Sequence, residues 1–257
     1  MADVPRAGRE APTGDPPAPP RRKGASMPER ESWLDSMAAA RHGLDRSSTA
    51  ARVADLLREQ ITDGRLVPGE RLPEEDVCRA VKVSRNTTRE AFRLLVQERL
   101  LVHEFNRGVF VRRVTADGLA DLYRVRRIME CEGVRCAPEA PPEAIELAGT
   151  AVADGERAAA AGDWPAVGTA DIRFHRALSA LVGSPRVDEL MRHLLAEMRL
   201  VFHEMGSPRE FHEPYLARNR RIYDLLAGGA AREAEQELRA YLDDAEAQLT
   251  KAFRESE

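Results

Sequence analysis

Ser84-Arg85-Asn86-Thr87-Thr88-Arg89 decides how this 257-residue chain is read. Ser84 is placed to cap a helix, its hydroxyl free to accept an amide from the first turn. Arg85, Asn86, Thr87, Thr88 and Arg89 gather polar side chains with reach and donor capacity at one helix start. Ala91, Leu94 and Leu95 turn the rest of that helix, to about Glu98, toward a core. Base edges in a DNA major groove demand such a donor cluster. Just upstream, Pro73-Glu74-Glu75-Asp76 reads as the start of a short helix, since proline suits a first turn and acids suit its positive end. That helix ends near Val81, and Val83-Ser84 is the turn. Two helices meeting at a tight turn, the second polar at its start, are the layout that places a recognition helix in the major groove.

Earlier in the chain, Val53, Leu56, Leu57 and Ile61 recur at helical spacing, with Ser47, Ser48 and Thr49 as cap candidates. Asp63-Gly64 closes this helix and Pro68-Gly69 makes a turn. Downstream, Leu100 to Phe105 and Val109 to Arg112 are rich in strand formers and flank Asn106-Arg107-Gly108, a turn signal. Three helices followed by such a hairpin have the layout of a winged helix-turn-helix.

From about Thr115 the pattern is helical almost throughout. Helices are expected at about 116–136, 142–161, 163–182, 184–205, 213–227 and 230–254. The breaks fall at Pro138, Pro141-Pro142, Gly162, Gly183-Ser184-Pro185, Gly206-Ser207-Pro208 and Gly228-Gly229. Long amphipathic helices with short breaks imply an antiparallel bundle. The fold class is therefore mainly α: three helices plus a β-hairpin wing, then an antiparallel α-helical bundle. The expected division is a disordered tail over 1–42, a DNA-binding domain over 43–114, and an effector-binding and dimerisation domain over 115–254. Arg21, Arg22 and Lys23 lie in that tail, which is rich in Pro, Gly and charge.

Charge is divided along the chain. The whole carries −4, yet Arg41 to Arg113 holds 15 Lys and Arg against 11 Asp and Glu. That first half is basic, as a nucleic-acid partner requires, and the remainder is acidic. Cys78, Cys131 and Cys136 form no paired spacing, so a disulfide framework is not expected. No apolar run approaches the ~18 residues of a membrane span, and no signal-peptide pattern opens the chain. A soluble, cytoplasmic protein without membrane partners is expected. Neither a His-Glu-x-x-His pair, nor a Gly-x-Ser-x-Gly elbow, nor a phosphate-binding glycine loop is present, so no enzyme is expected.

Residues 47–113 closely resemble the winged helix-turn-helix of GntR-family regulators. The resemblance rests on Gly64-Arg65-Leu66-Val67-Pro68-Gly69-Glu70-Arg71-Leu72-Pro73-Glu74-Glu75, Val83-Ser84-Arg85, Thr88-Arg89-Glu90-Ala91 and Arg107-Gly108-Val109-Phe110-Val111. It implies contacts to DNA from Arg85, Thr87 and Arg89, and groove or backbone contact from Arg107 and Gly108. Asn86-Thr87-Thr88 departs from the commoner Thr-Pro-Val of the family, which bears on operator sequence. A homodimer on two-fold-related half-sites of double-stranded DNA is implied.

Residues 116–252 resemble the helical ligand-binding domain of the FadR subfamily, the FCD domain. The matching stretches are Leu122-Tyr123-Arg124-Val125-Arg126-Arg127 with Glu130, Asp171-x-x-Phe174-His175-x-x-Leu178, Gly183-Ser184-Pro185-Arg186 and Leu225-Leu226-Ala227-Gly228-Gly229. Many members hold a divalent metal of the zinc or nickel type with one Asp and three His. Here the first two positions are Asp171 and His175, but the others fall on Asn219 and Tyr241. Imidazole binds such ions well, whereas Asn offers a neutral oxygen and a Tyr phenol stays protonated near neutral pH. The expectation is a metal-poor pocket in which Asp171, His175, Asn219 and Tyr241 hydrogen-bond an organic effector. His203 and His212 are the candidates for a replacement ligand. Arg126 falls where the family points an arginine at its ligand, and a guanidinium grips a carboxylate bidentately, so a small organic acid is expected. The alternatives are a constitutive DNA-binding dimer with a degenerate pocket, and a metal-dependent hydrolase built on Asp171 and His175.

Overall fold

The computed structural model describes residues 49–203, 205 and 207–256. The expected tail, with Arg21, Arg22 and Lys23, lies outside the described residues, as do the cap candidates Ser47 and Ser48. The first described helix, α1, spans residues 49–62. It is followed by β1 (Arg71–Leu72), α2 (Glu74–Val81), α3 (Arg85–Gln97), β2 (Leu101–Glu104) and β3 (Gly108–Val111). The bundle comprises α4 (Ala116–Cys136), α5 (Pro142–Ala160), α6 (Trp164–Ala180), α7 (Pro185–Phe202), α8 (Pro208–Ala227) and α9 (Ala231–Ser256). A short 3₁₀ turn, Ala137–Glu139, links α4 to α5.

Local chemistry explains the head. Ser84 caps α3, its hydroxyl accepting the Thr87 amide at 3.1 Å. Lys82, with φ +53°, closes α2 in the left-handed region. The hairpin pairs Leu101 with Val111 and His103 with Val109. Val53, Ile61, Phe92, Leu95, Leu100, Leu101, Val109 and Val111 are all buried and form the core of the module. Arg58 is buried too, and its guanidinium reaches both oxygens of Glu98 at 2.7 Å, tying α1 to the end of α3.

Four expectations change. The wing is one edge longer than a hairpin: β1 pairs with β3, giving the order β1-β3-β2. A two-residue strand is too short to show a period. Leu56 points outward at 48% exposure, and Ala50, Val53, Ala54 and Ile61 form the buried stripe instead. The helix turns about 100° per residue, so this stripe leaves Leu56 to one side. Leu94 is half-buried, and Phe92 takes the inward place beside Ala91 and Leu95. In the bundle, α7 ends at Phe202 and α8 begins at Pro208, five residues earlier than expected. Pro208 sits in the first turn, where it loses no helical hydrogen bond, and the Ser207 hydroxyl accepts the Glu210 amide. Pro214 is carried inside the helix.

Helix α6 is the centre of the bundle, packing against α4, α5, α7 and α8, while α9 lies against α4 and α8. Among the described residues, head and bundle belong to one compact unit. Helix α7 makes the junction: Arg192 reaches Asp55 of α1 at 2.6 Å, and the buried Glu197 accepts Arg112 beyond β3 at 2.9 Å.

Candidate functional site

The first site is the exposed face of α3. Arg85, Asn86 and Arg89 are exposed there and Thr87 is half-buried. Thr88 is turned inward: it is fully buried and its hydroxyl lies 3.1 Å from the Cys78 thiol of α2. Its place one residue before Arg89 rotates it about 100° toward α2, so it holds the two helices together and leaves the polar face to its neighbours. Both arginines carry acidic partners from α2. Arg85 Nη2 reaches Glu75 at 2.5 Å, and Arg89 Nε reaches Glu74 at 2.9 Å. The wing presents Asn106 at φ +59° and the exposed Arg107, whose guanidinium pairs with Glu104 and stands 5.2 Å from the Phe110 ring. Gly108 is half-buried beneath it.

The second site is a polar cluster buried in the bundle. Helix α4 contributes Arg126 and Glu130, one helical turn apart, with Arg126 Nε donating to Glu130 at 2.7 Å. The other Glu130 oxygen meets His175 Nδ1 at 2.7 Å. Burial opposes the charged Glu130 carboxylate, but Arg126 and His175 outweigh it and hold its pKa below the usual value. An ionised carboxylate only accepts, so the Nδ1 carries the shared proton. His175 Nε2 then faces Asp171 Oδ1 at 3.7 Å. That same Asp171 oxygen accepts Asn219 Nδ2 at 2.9 Å and the Tyr241 hydroxyl at 3.0 Å. Burial opposes ionisation of Asp171 as well, yet His175, His212 and the Asn219 donor keep it below the normal range. Burial and the Asp171 charge push the Tyr241 phenol well above its ordinary value, so it remains a donor.

Five predicted residues therefore meet in one network: Arg126, Asp171, His175, Asn219 and Tyr241. Three buried atoms in it make no hydrogen bond: Arg126 Nη2, His175 Nε2 and Asn219 Oδ1. Beside Asp171 and Asn219 lies a cavity of ≈ 10 Å³, walled by α5, α6 and α8 and by His212. That is room for about one water. Burial drives the His212 pKa down to about 4. His203 is exposed just past α7.

The donor set does not suit a transition metal. Asn219 and Tyr241 spend their protons on Asp171, the oxygen that a metal would need. Among the described residues no group of three or more His, Cys, Asp or Glu is arranged to hold an ion. With Asn219 and Tyr241 donating to Asp171, the residues present do not fit the zinc- or nickel-type centre implied by the resemblance.

Sequence reading gave no role at these sites to four residues that shape them. Glu74 and Glu75 read only as helix-start acids. Glu130 and Arg199 are buried charges, and for Arg199 a signal was present: Leu194 to Phe202 is apolar except for Glu197 and Arg199. A charge inside such a run is expected to be buried with a purpose.

A winged helix-turn-helix joined to a helical bundle with a buried polar cluster defines a DNA-binding regulator with a C-terminal effector domain. Comparison with known proteins names the group. Residues 49–111 match the bacterial regulatory proteins of the gntR family, and residues 121–244 match the FCD domain. A transcriptional regulator of Streptomyces ambofaciens is 32% identical over 200 residues, covering 74% of this chain and 82% of that protein. The galactonate operon transcriptional repressor of Escherichia coli K12 is 29% identical over 207 residues, covering 71% and 90%. A solved GntR regulator from Rhodococcus sp. RHA1 shares 49% identity with a TM-score of 0.73, covering 80% of this chain and 99% of that one. The chain belongs to the GntR family of transcriptional regulators. No described helix is long and apolar enough to cross a membrane.

Proposed function

We propose that this protein is a homodimeric cytoplasmic repressor, without enzymatic activity, whose grip on a two-fold operator is released by a small organic acid bound in the helical domain. The observation that carries the reading is the set of unpartnered atoms around Asp171. Buried polar groups are satisfied almost without exception in folded proteins, and Arg126 Nη2 asks for an acceptor while Asn219 Oδ1 asks for a donor. A hydroxylated carboxylate supplies both. One relative is the repressor of a galactonate operon, and galactonate is an acid of that chemistry. The cavity at the site is ≈ 10 Å³, so entry of an acid must part α5, α6 and α8. That requirement couples binding to bundle shape, as a population shift needs. At the other site, Arg85, Asn86, Thr87 and Arg89, with Arg107 and Gly108 of the wing, contact DNA.

The test is a thermal-shift and calorimetric screen against galactonate, gluconate, lactate and citrate, followed by mobility shift on a selected operator. Stabilisation by an acid together with weakened DNA binding is expected. Operator binding indifferent to every acid would favour the second reading, a constitutive DNA-binding dimer, to which the small size of the cavity lends support.

A further inference from the structure

Two buried guanidinium groups stand near the polar cluster, and they differ in one respect. Arg126 is neutralised by Glu130 at 2.7 Å. Arg199 of α7 is only 4% exposed, yet no carboxylate among the described residues approaches it within salt-bridge distance. Among the described residues its side chain makes one hydrogen bond, from Nη2 to the Pro165 carbonyl at 3.1 Å, and its Nε makes none. Asp63 and Asp171 act on it only from beyond contact. A buried cation without a counter-ion is costly, and an apolar side chain of like volume would serve packing better.

Its position is as specific as its charge. The guanidinium is threaded between two glycines, Gly64 in the turn after α1 and Gly168 in α6. A methyl group on either would collide with it. On the α6 side, a methyl on Gly168 would also stand 2.9 Å from His212 Nε2, and His212 lines the small cavity beside Asp171. On the outer side, Asp63, Arg65 and Pro165 line a groove of ≈ 630 Å³. Ala170 walls both spaces. The one guanidinium therefore touches the bundle interior and the first turn of the DNA-binding head.

We infer that Arg199, rather than Arg126, receives the carboxylate of the effector, and that its displacement from Gly64 transmits binding to the head. The inference rests on the organic-acid reading above. An anion entering past His212 meets an uncompensated cation at its inner end. Pairing draws the guanidinium toward α6 and takes its support from the turn at Gly64. That turn leads from α1 toward β1 and α2, so the recognition helix responds to it. Arg126 keeps its Nε bond to Glu130, which holds His175 in place, and leaves its Nη2 to a hydroxyl of the same acid.

The experiment compares wild type with Arg199→Met, Arg199→Lys and Arg126→Met, using the same four acids. Arg199→Met is expected to melt at or above the wild-type temperature, because a buried uncompensated charge is gone. Its affinity for the acid that binds wild type is expected to fall about tenfold or more, with Arg199→Lys in between. Hydrogen exchange in residues 61–66 should change on adding the acid in wild type and not in Arg199→Met. If no acid stabilises wild type, the organic-acid reading fails and this inference goes with it. If an acid binds wild type and Arg199→Met alike, or only Arg126→Met loses it, the organic-acid reading stands and the role of Arg199 is overturned. A lowered melting temperature for both Arg199 variants would make it a structural side chain and overturn the inference too.

Discussion

The Tyr241 hydroxyl donates to Asp171 Oδ1 at 3.0 Å, the oxygen to which Asn219 also donates at 2.9 Å. Two neutral donors from α8 and α9 thus stand where metal-binding relatives are expected to carry imidazoles. Asn219→His with Tyr241→His should therefore restore a one-Asp, three-His set. Metal analysis after dialysis against zinc should find about one ion per chain in the double variant and far less in wild type. Zinc should also raise the melting temperature of the double variant alone; at a hundred times its dissociation constant the gain is about 2.7 kcal/mol. Equal zinc retention by both proteins would show that the wild-type donors hold a metal after all.

Arg85 and Arg89 are paired with Glu75 and Glu74. Phosphates must compete with these acids, which also add two negative charges beside the reading face. Exposed pairs of this type are worth ~1 kcal/mol or less, so Glu74→Gln with Glu75→Gln should tighten operator binding by up to about tenfold, most at low salt. Arg89→Ala should abolish binding with the fold intact. A mobility-shift titration on one selected operator reads both, and weaker binding by the double glutamine variant would refute the competition.

The head was legible because its signals are local. A cap at Ser84, a polar first turn and Asn106-Arg107-Gly108 each announce themselves within a few residues. What escaped the sequence depends on contacts across distance. Thr88 belongs to the polar cluster by sequence, and only the packing of α2 turns it toward Cys78. The two-residue β1 exists because β3 lies beside it. In the bundle, a family pattern located Asp171 and His175, but Arg199 matched no motif. Its meaning comes from Gly64, 135 positions earlier, being close enough to touch.

His212 yields a pH prediction. It is buried among Phe202, Phe211 and the cluster, facing Asp171 and His175 of α6 and Arg199 of α7. Burial lowers its pKa from 6.5 to about 4. A lowered imidazole pKa means that the unfolded chain binds the proton more readily between those two values. Stability therefore falls as pH drops from about 6.5 toward 4, by up to about 3 kcal/mol for this group. Asp171 and Glu130 act in the same direction, but only below the ordinary carboxylate range, because their pKa values are depressed. Denaturant melts of wild type and His212→Gln between pH 7 and 5 separate them. The variant should lose less stability over that interval, and parallel curves would remove His212 as the cause.

Gly133 sets the distance between α4 and α6. A methyl group there would overlap the Leu178 carbonyl of α6. The obstacle is backbone, so no side chain can swing away, and the helices must part. Helix α4 also carries Arg126 and Glu130, so separation stretches the 2.7 Å bond between Glu130 and His175. Overpacking of this kind costs ~1–3 kcal/mol. Gly162 offers a control: it has φ +73° and open space around it, so alanine there meets only the left-handed backbone penalty of ~1–2 kcal/mol. Both variants should melt early, but only Gly133→Ala should also weaken effector binding, since Gly162 lies in the turn before α6 and supports no residue of the cluster. Calorimetry on the two proteins decides it: equal effector affinity would mean that the α4–α6 spacing does not set the geometry around Asp171.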